Sequence, residues 1–201
     1  NAVLFEKDPE QPRSIGSVTK LMTALVFLRD RVPLDTPVVI EESDRRAGGR
    51  EHVRPGMRLT ADDVLRASLV SSDNTATMTL VRLTNRSEGD FVARMNELAA
   101  EIGMRQATFL DPTGLLPENR ATVLDVVALL RAALEDSRLL DITTRLSDTL
   151  RTTDGETILL EATNELLGGR LHNDPYRLVG GKTGYLPEAG YCLGVAVEKN
   201  Q

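Results

Sequence analysis

The chain has 201 residues, a length that suits one domain or one domain with an inserted subdomain. Hydrophobic residues make up 41% of it and charged residues 27%, which is enough apolar surface for a core and excludes a mainly disordered chain. The formal net charge of -6 and the aromatic content of 3% argue against a nucleic-acid-binding protein, because such proteins carry a basic excess and stacking aromatic side chains.

Cysteine and histidine are too scarce for a disulfide framework or a metal centre. Cys192 is the only cysteine, and its apolar surroundings in the sequence predict a packing role rather than a nucleophile. The two histidines, His52 and His172, are far apart, and both are predicted to be solvated surface residues. We therefore expect no metal ion and no other cofactor.

The sequence has no segment that predicts membrane insertion. Its best apolar stretch, Leu21–Leu28, is much shorter than the roughly 20 residues that a spanning helix needs. Residues Asn1–Gln11 lack the charged and apolar regions of a signal peptide. The sequence is nevertheless compatible with the mature form of an exported protein.

The N-terminal part predicts two short strands around one helix. Residues Ala2–Phe5 have strand character, and the prolines that follow them predict a loop. Apolar residues then recur at helical spacing from Ser17 to about Arg29, which predicts the first helix. A second strand is predicted over Pro37–Glu41.

Four more helices are predicted in the middle of the chain. Thr60 is followed by two acidic residues, which is typical of a helix N-terminus, so the second helix begins there. Gly103 is typical of the residue that ends a helix, so the fourth helix ends before it. The third, fourth and fifth helices are predicted over Thr75–Leu83, Ser87–Ile102 and Thr122–Leu134.

Strands are predicted to dominate after about Asp141. They cover Leu150–Thr153, Thr157–Leu160 and Tyr191–Val197. We therefore predict an α/β (α+β) fold in a single domain over residues 1–201. In this division residues 1–35 and 141–201 contain the sheet, and residues 36–140 are mainly helical.

Three short motifs follow one another along the chain. The first is Ser17-Val18-Thr19-Lys20, in which the three-residue spacing at a helix start puts both functional side chains on one helix face. A serine hydroxyl becomes a nucleophile when a neighbouring base takes its proton, and a lysine acts as that base if its pKa is lowered. We expect the helix N-terminus and a second cation, Lys182, to lower the pKa of Lys20.

The second motif, Ser72-Asp73-Asn74, lies between two predicted helices. Ser72 is suited to pass a proton between Lys20 and a leaving amine. Asn74 offers a donor and an acceptor, which suit either a substrate amide or Lys20 itself.

The third motif, Lys182-Thr183-Gly184, precedes an apolar strand pattern. Lys182 and the Thr183 hydroxyl are suited to bind a substrate carboxylate. Gly184 allows the backbone of a substrate to come close.

Each motif alone is common, but the ordered set of three is the signature of penicillin-binding proteins and class A β-lactamases. With its flanking residues, the chain resembles the low-molecular-mass penicillin-binding proteins, which are serine D-alanyl-D-alanine carboxypeptidases and endopeptidases. The blocks that carry this resemblance are Ser17–Ala24, Leu69–Ala76, Phe109–Asn119, Gly181–Gly184 and Ala189–Leu193.

The resemblance implies a penicillin-binding protein and β-lactamase-like fold, with an antiparallel sheet flanked by helices and an inserted helical subdomain. It implies that peptidoglycan stem peptides acylate Ser17 and that β-lactam antibiotics are covalent inhibitors. Lys20 would be the base, with Ser72, Asn74 and Lys182 in support.

The resemblance also assigns substrate binding to Thr183, Gly184 and Tyr185. The backbone N–H groups of Ser17 and Tyr185 would form the oxyanion hole. An exported location, in the periplasm or the extracellular cell wall, follows from such a substrate. The family's sheet has further strands at both ends, so we expect the sheet of this chain to be incomplete.

Three alternatives are weaker. A class A β-lactamase needs an E-x-x-x-N loop, and the candidates Glu118, Asn119 and Glu161 lack that spacing. A Ser-His-Asp hydrolase needs a histidine beside the serine, and no G-x-S-x-G is present. A phosphate-binding loop would need a glycine where the chain has Tyr176.

Two questions stay open at this point. An inactive cell-wall-binding module on the same fold is not excluded, although the complete motif set favours an enzyme. The sequence also does not separate a carboxypeptidase from an endopeptidase.

Overall fold

The computed structural model describes residues 2–169 and 175–199, so the prediction for His172 lies outside the described residues. Six α-helices lie within these ranges: α1 (Thr19–Arg29), α2 (Ala61–Val70), α3 (Asn74–Leu83), α4 (Glu88–Glu101), α5 (Val123–Leu134) and α6 (Ser137–Thr143). Three single helical turns cover Gly16–Val18, Glu42–Asp44 and Glu165–Gly168.

The strands of the described residues form four antiparallel pairs. These are β1 (Arg13–Ser14) with β4 (Arg120–Ala121), β2 (Pro37–Val39) with β3 (Arg58–Thr60), β5 (Ser147–Arg151) with β6 (Thr157–Glu161), and β7 (Tyr176–Leu186) with β8 (Gly190–Lys199). Helices combined with antiparallel strands confirm the predicted fold class.

Local side-chain caps determine where the central helices begin. The Thr60 hydroxyl accepts from the Asp63 N–H at the start of α2, and the Asp63 carboxylate accepts from the Thr60 N–H. Thr122 and Asp125 repeat this reciprocal capping box at the start of α5. The predicted N-terminus at Thr60 is therefore confirmed.

Helix α1 forms the centre of the core. Every residue from Thr19 to Phe27 is buried, and the helix packs against α3, α4 and α5. A helix in this position has almost no face in contact with water, so the residues from Leu21 to Phe27 are apolar except for Thr23. The start of α1, which carries Ser17 and Lys20, is therefore anchored in the most constrained part of the molecule.

The long hairpin β7–β8 packs on the helical body through one face. Helices α5 and α6 lie against this face, and Gly194 of β8 allows Val126 and Leu130 of α5 to approach the strand. The turn Gly16–Val18 also contacts β7. The functional motifs of α1 and β7 therefore meet where the hairpin crosses the start of α1.

The predicted strand over Ala2–Phe5 is wrong. Val3, Leu4 and Phe5 are exposed, and no strand among the described residues pairs with them. A short apolar run forms a strand only where a partner covers it, and this segment has no partner strand in the described part of the chain.

Smaller differences concern short elements. The strand predicted over Leu150–Thr153 is Ser147–Arg151, because its register is set by pairing with β6. Helix α6 and the strands β1, β3, β4 and β7 are not among the elements that the sequence patterns predict. The division at residues 140 and 141 stays a prediction, and α6 crosses it.

Among residues 2–169 and 175–199, no helix combines the length and the apolar composition needed to span a bilayer.

Candidate active site

The first motif forms a serine–lysine pair at the start of α1. Lys20 Nζ lies 2.9 Å from Ser17 Oγ and donates a hydrogen bond to the Thr113 carbonyl oxygen at 2.7 Å. The side chain of Lys20 is fully buried. The three-residue spacing therefore brings Ser17 and Lys20 together as the sequence indicates. The fold also provides a backbone acceptor for Lys20, the Thr113 carbonyl, which lies outside the motif.

Burial lowers the pKa of Lys20 to about 7, because the protein interior solvates an ammonium ion poorly. The negative charges of Asp111 and Asp73 oppose this shift in part. Desolvation is therefore the dominant cause, rather than the helix N-terminus that the sequence suggests. A large fraction of Lys20 is therefore a neutral amine at neutral pH, which is the form that a base in the first motif requires.

Ser72 and Lys182 form a second serine–lysine pair. Lys182 Nζ donates to Ser72 Oγ at 2.9 Å and to the Thr183 carbonyl at 3.1 Å. Ser72 has a φ of 62°, which places it in the tight turn between α2 and α3. The pKa of Lys182 is lowered by burial and by the charge of Lys20.

Asn74 begins α3 and has one engaged and one unpaired polar atom. Its Nδ2 donates to the Gly48 carbonyl at 2.7 Å, whereas its buried Oδ1 has no partner within the described residues. The residue is 4% exposed. No hydrogen bond joins Asn74 to Lys20 in this part of the chain, so the geometry favours the substrate amide as its partner.

Asp73 connects the second motif to the loop that contains His52. Its carboxylate accepts from the N–H groups of Ala76, His52 and Val53. These contacts draw the loop inward, so His52 is half-buried and its Nε2 atom is buried. The prediction that His52 is a solvated loop residue is therefore wrong, although the histidine lies in a loop as expected.

The third motif lies on β7, against the turn Gly16–Val18. The Thr183 hydroxyl is hydrogen-bonded to the Thr163 hydroxyl. A Cβ atom placed on Gly184 would lie 2.8 Å from the Ser17 nitrogen and 2.6 Å from the Ile15 carbonyl oxygen. Only glycine permits this approach, which brings the strand backbone next to the Ser17 N–H.

All the predicted site residues belong to one cleft of about 590 Å³. Six of them line it: Ser17, Ser72, Asn74, Thr183, Gly184 and Tyr185. Lys20 and Lys182 lie beneath its surface, each bonded to a lining serine. The cleft lies between the β7–β8 hairpin on one side and the α2–α3 turn on the other.

Several lining residues are not identified from the motifs. The cleft also contains Gly49, Arg50, Leu115, Thr163, Asn164 and Leu166. Tyr185 and Tyr191 both line the cleft and pack against each other, with their ring centroids 4.8 Å apart and their planes tilted by 41°. The only motif-like signal for any of them is Asp111-Pro112-Thr113-Gly114-Leu115, in which the important group is a backbone carbonyl.

Cys192 lies on β8, half-buried and packed against the core, and it reaches the edge of the cleft. Burial raises the pKa of its thiol, which disfavours the reactive thiolate. These features fit the predicted packing role.

No group of three or more histidine, cysteine or acidic side chains arranged to hold a metal ion occurs within residues 2–169 and 175–199.

The fold is similar to solved structures of a D-alanyl-D-alanine carboxypeptidase and a DD-transpeptidase. A D-alanyl-D-alanine carboxypeptidase from Mycobacterium tuberculosis has a TM-score of 0.83 at 29% identity, covering 95% of this chain and 74% of that one. A Streptomyces DD-transpeptidase has a TM-score of 0.82 at 25% identity, covering 98% of this chain and 80% of that one. These neighbours define the class of protein, a domain with the fold of penicillin-binding proteins.

The sequence comparisons identify the family. The chain belongs to the D-alanyl-D-alanine carboxypeptidase family of peptidases, which matches it over residues 1–201. A D-alanyl-D-alanine endopeptidase of Pseudomonas aeruginosa is 34% identical over 198 residues, which cover 95% of this chain and 61% of that protein. A D-alanyl-D-alanine endopeptidase of Escherichia coli is 32% identical over 197 residues, covering 96% and 62%. The chain therefore spans less than two thirds of the length of these curated relatives.

Gly114 provides a test of how tightly the turn Gly16–Val18 is packed. It has a φ of 83°, and a Cβ atom at this position would lie 2.0 Å from the Gly16 carbonyl oxygen. We predict that Gly114→Ala lowers the free energy of unfolding by roughly 2–4 kcal/mol, because the turn is forced away from α1. Urea denaturation measures this change.

Gly56→Ala is the matched control. Gly56 has a φ of 89°, but a Cβ atom at this position would have no atom within 4 Å, so its replacement introduces backbone strain without a collision. We expect the control to cost roughly 1 kcal/mol. Equal losses for the two variants would contradict a close contact between Gly114 and the Ser17 turn.

Proposed function

We propose that this chain is the catalytic part of a serine DD-peptidase that acts on peptidoglycan stem peptides through an acyl-enzyme on Ser17. The observation that carries the proposal is the buried Lys20 amine between Ser17 Oγ and the Thr113 carbonyl. Family membership and the names of the relatives support the same conclusion. β-Lactam antibiotics, as cyclic analogues of the acylating peptide, are the proposed covalent inhibitors.

Lys20 is the proposed general base. A neutral amine has one lone pair and two N–H bonds, and donation to the Thr113 carbonyl fixes one of the N–H bonds. The lone pair can then face Ser17 Oγ at 2.9 Å, which is hydrogen-bond distance for proton transfer. Ser17 Oγ attacks the carbonyl carbon of the penultimate D-alanine while its proton moves to Lys20.

The tetrahedral intermediate needs donors for its negative oxygen. The N–H groups of Ser17 and Tyr185 are the proposed oxyanion hole. A Cβ atom on Gly16 would lie 3.2 Å from the Tyr185 nitrogen, and one on Gly184 would lie 2.8 Å from the Ser17 nitrogen, so the two peptide groups are neighbours.

The remaining motif residues are proposed to handle the leaving group and the peptide. Ser72 relays the proton from Lys20 to the departing amine, so the amide bond breaks and the acyl group stays on Ser17. Lys182 and Thr183 bind the terminal carboxylate, and the unpaired Asn74 Oδ1 accepts a substrate N–H. Water then attacks the ester, which releases the acid and restores Ser17.

Endopeptidase activity is the more strongly supported of the two reactions. The relatives from Pseudomonas aeruginosa, Escherichia coli and Haemophilus influenzae, at 32–34% identity, are named endopeptidases. Relatives named carboxypeptidases from Bacillus subtilis and Mycobacterium tuberculosis are 28–31% identical. The proposed site of action is outside the cytoplasmic membrane, in the periplasm or the cell wall, where peptidoglycan is found.

Mass spectrometry of the intact protein after mixing with benzylpenicillin tests the proposal. We expect a stable adduct that peptide mapping places on Ser17 and that Ser17→Ala abolishes. Ser43→Ala, an exposed serine outside the cleft, is the matched control and keeps the adduct. Cross-linked muropeptide dimers and pentapeptide monomers then distinguish an endopeptidase from a carboxypeptidase.

The other outcomes of this experiment contradict the proposal in different ways. An intact drug without an adduct would favour an inactive binding module. A destroyed drug without an adduct would favour a β-lactamase.

The rate of acylation is predicted to rise with pH. Only neutral Lys20 can take the Ser17 proton, so the rate constant falls about tenfold per pH unit below the Lys20 pKa of about 7 and levels off above it. Stopped-flow acylation by a fluorescent penicillin measures the profile. Lys20→Ala should lower the plateau by roughly 10²–10⁴-fold. Lys7→Ala, which removes an exposed lysine, should leave it unchanged.

A rate that is independent of both pH and Lys20 would rule out this base. In that case Ser17 could still be a nucleophile, but another group would have to accept its proton.

A further inference from the structure

A buried carboxylate organises the turn that contacts Lys20. Asp111 is 7% exposed, and its two oxygens accept from four successive N–H groups of the following turn. The donors are Thr113 at 3.0 Å, Gly114 at 3.1 Å, and Leu115 and Leu116 at 3.3 Å each. The Thr113 hydroxyl also donates to Asp111. With its N–H groups directed inward to one carboxylate, the turn presents its carbonyl groups outward.

Two of these carbonyl groups are bonded to α1. The Thr113 carbonyl accepts from Lys20 Nζ at 2.7 Å, and the Pro112 carbonyl accepts from the Thr23 hydroxyl at 2.6 Å. Lys20 and Thr23 are three residues apart and therefore lie on one helix face. The turn is thus held against the catalytic face of α1 at two consecutive points.

Asn119 holds the other side of the turn. Its Nδ2 donates to the Asp111 carbonyl at 2.8 Å and to the Thr19 hydroxyl at 3.1 Å, and its Oδ1 accepts from the Leu110 N–H at 2.7 Å. Thr19 is the neighbour of Lys20. Hydrogen bonds through the turn and Asn119 therefore link Asp111 to Thr19 and Thr23, which lie on either side of Lys20 in α1.

The charged groups around Lys20 come from three other elements. They are Asp111 in the turn, Asp73 at the start of α3 and Lys182 on β7. The His52 N–H donates to the Asp73 carboxylate. Asp111 therefore differs from the other groups in combining a charge near Lys20 with a continuous hydrogen-bonded connection to its Nζ atom.

We propose that Asp111 is a positioning residue for the reaction: it fixes the Thr113 carbonyl against one N–H of Lys20, so that the lone pair of the amine faces Ser17. This inference rests on the proposed function, since it assigns how the base of that reaction is oriented. The charge of Asp111 acts in the same place, because a buried anion near Lys20 favours the ammonium form and raises its pKa.

The test compares Asp111→Asn with the wild-type chain in penicillin acylation across pH. Asparagine has nearly the same shape but has one acceptor oxygen and no charge, so it cannot hold all the N–H groups of the turn. We expect the plateau rate to fall at least about tenfold. We also expect the midpoint of the acidic limb to move down by about one pH unit, because the anion that stabilises protonated Lys20 is gone.

Asp44→Asn is the matched control. Asp44 is 2% exposed and pairs with Arg82, but it is not among the charged groups that act on Lys20. Its replacement should lower stability without moving the plateau or the midpoint of the profile. Thermal unfolding of both variants shows whether a lower rate comes from loss of the fold or from misplacement of the Thr113 carbonyl and Lys20.

An unmoved midpoint in folded Asp111→Asn would overturn the proposal, even with a reduced plateau, because it would indicate a structural role alone. A plateau equal to that of Asp44→Asn would also overturn it. If Asp111→Asn does not fold, Thr113→Val removes the hydroxyl contacts to Asp111 and to the Leu115 N–H and leaves the charge of Asp111 in place. We expect that variant to lower the plateau about threefold with the midpoint unmoved, and an unchanged plateau would contradict the proposal.

Failure of the proposed function would be distinguishable from failure of this inference. If the proposed function fails, the wild-type chain forms no penicillin adduct on Ser17. If the inference alone fails, the wild-type chain acylates normally and only the response to Asp111→Asn differs from the expected one.

Discussion

The burial of the Lys20 amine is the constraint on which the rest of the site depends. An ammonium group without solvent is strongly disfavoured, so a lysine in this position is stable only with acceptors around it and with a lowered pKa. The acceptors are Ser17 Oγ and the Thr113 carbonyl, and burial itself lowers the pKa of Lys20. The same burial that disfavours the charged form produces the neutral amine that a serine nucleophile needs.

The surrounding architecture keeps this arrangement rigid. Helix α1 is buried along most of its length, and the strand β7 crosses its start so closely that Gly184 has no room for a side chain. Gly114 approaches the same turn through the Gly16 carbonyl. Because a shift of about 1 Å in such groups can reduce a rate considerably, close backbone packing around Ser17 is part of the proposed mechanism.

The sequence predicts side chains and local caps better than it predicts backbone groups and pairing. The start of α2 follows from Thr60 because the cap is local, and the motifs identify the serine–lysine pair because its spacing is helical. The Thr113 carbonyl is missed because a carbonyl has no residue-type signature. The strand over Ala2–Phe5 is predicted wrongly because strand formation depends on a distant partner. The cause of the lowered Lys20 pKa is also misjudged, since burial is a property of the whole fold.

The most direct test of the account is a titration of Lys20 itself. Lysine labelled with ¹³C at the ε position would give one resonance for each lysine, and the Lys20→Arg spectrum would identify the one that belongs to Lys20. We predict that the Lys20 resonance titrates with a midpoint of about 7. A midpoint near the ordinary lysine pKa of about 10.4 would contradict the central claim, because Lys20 would then be charged at neutral pH and unable to act as the base.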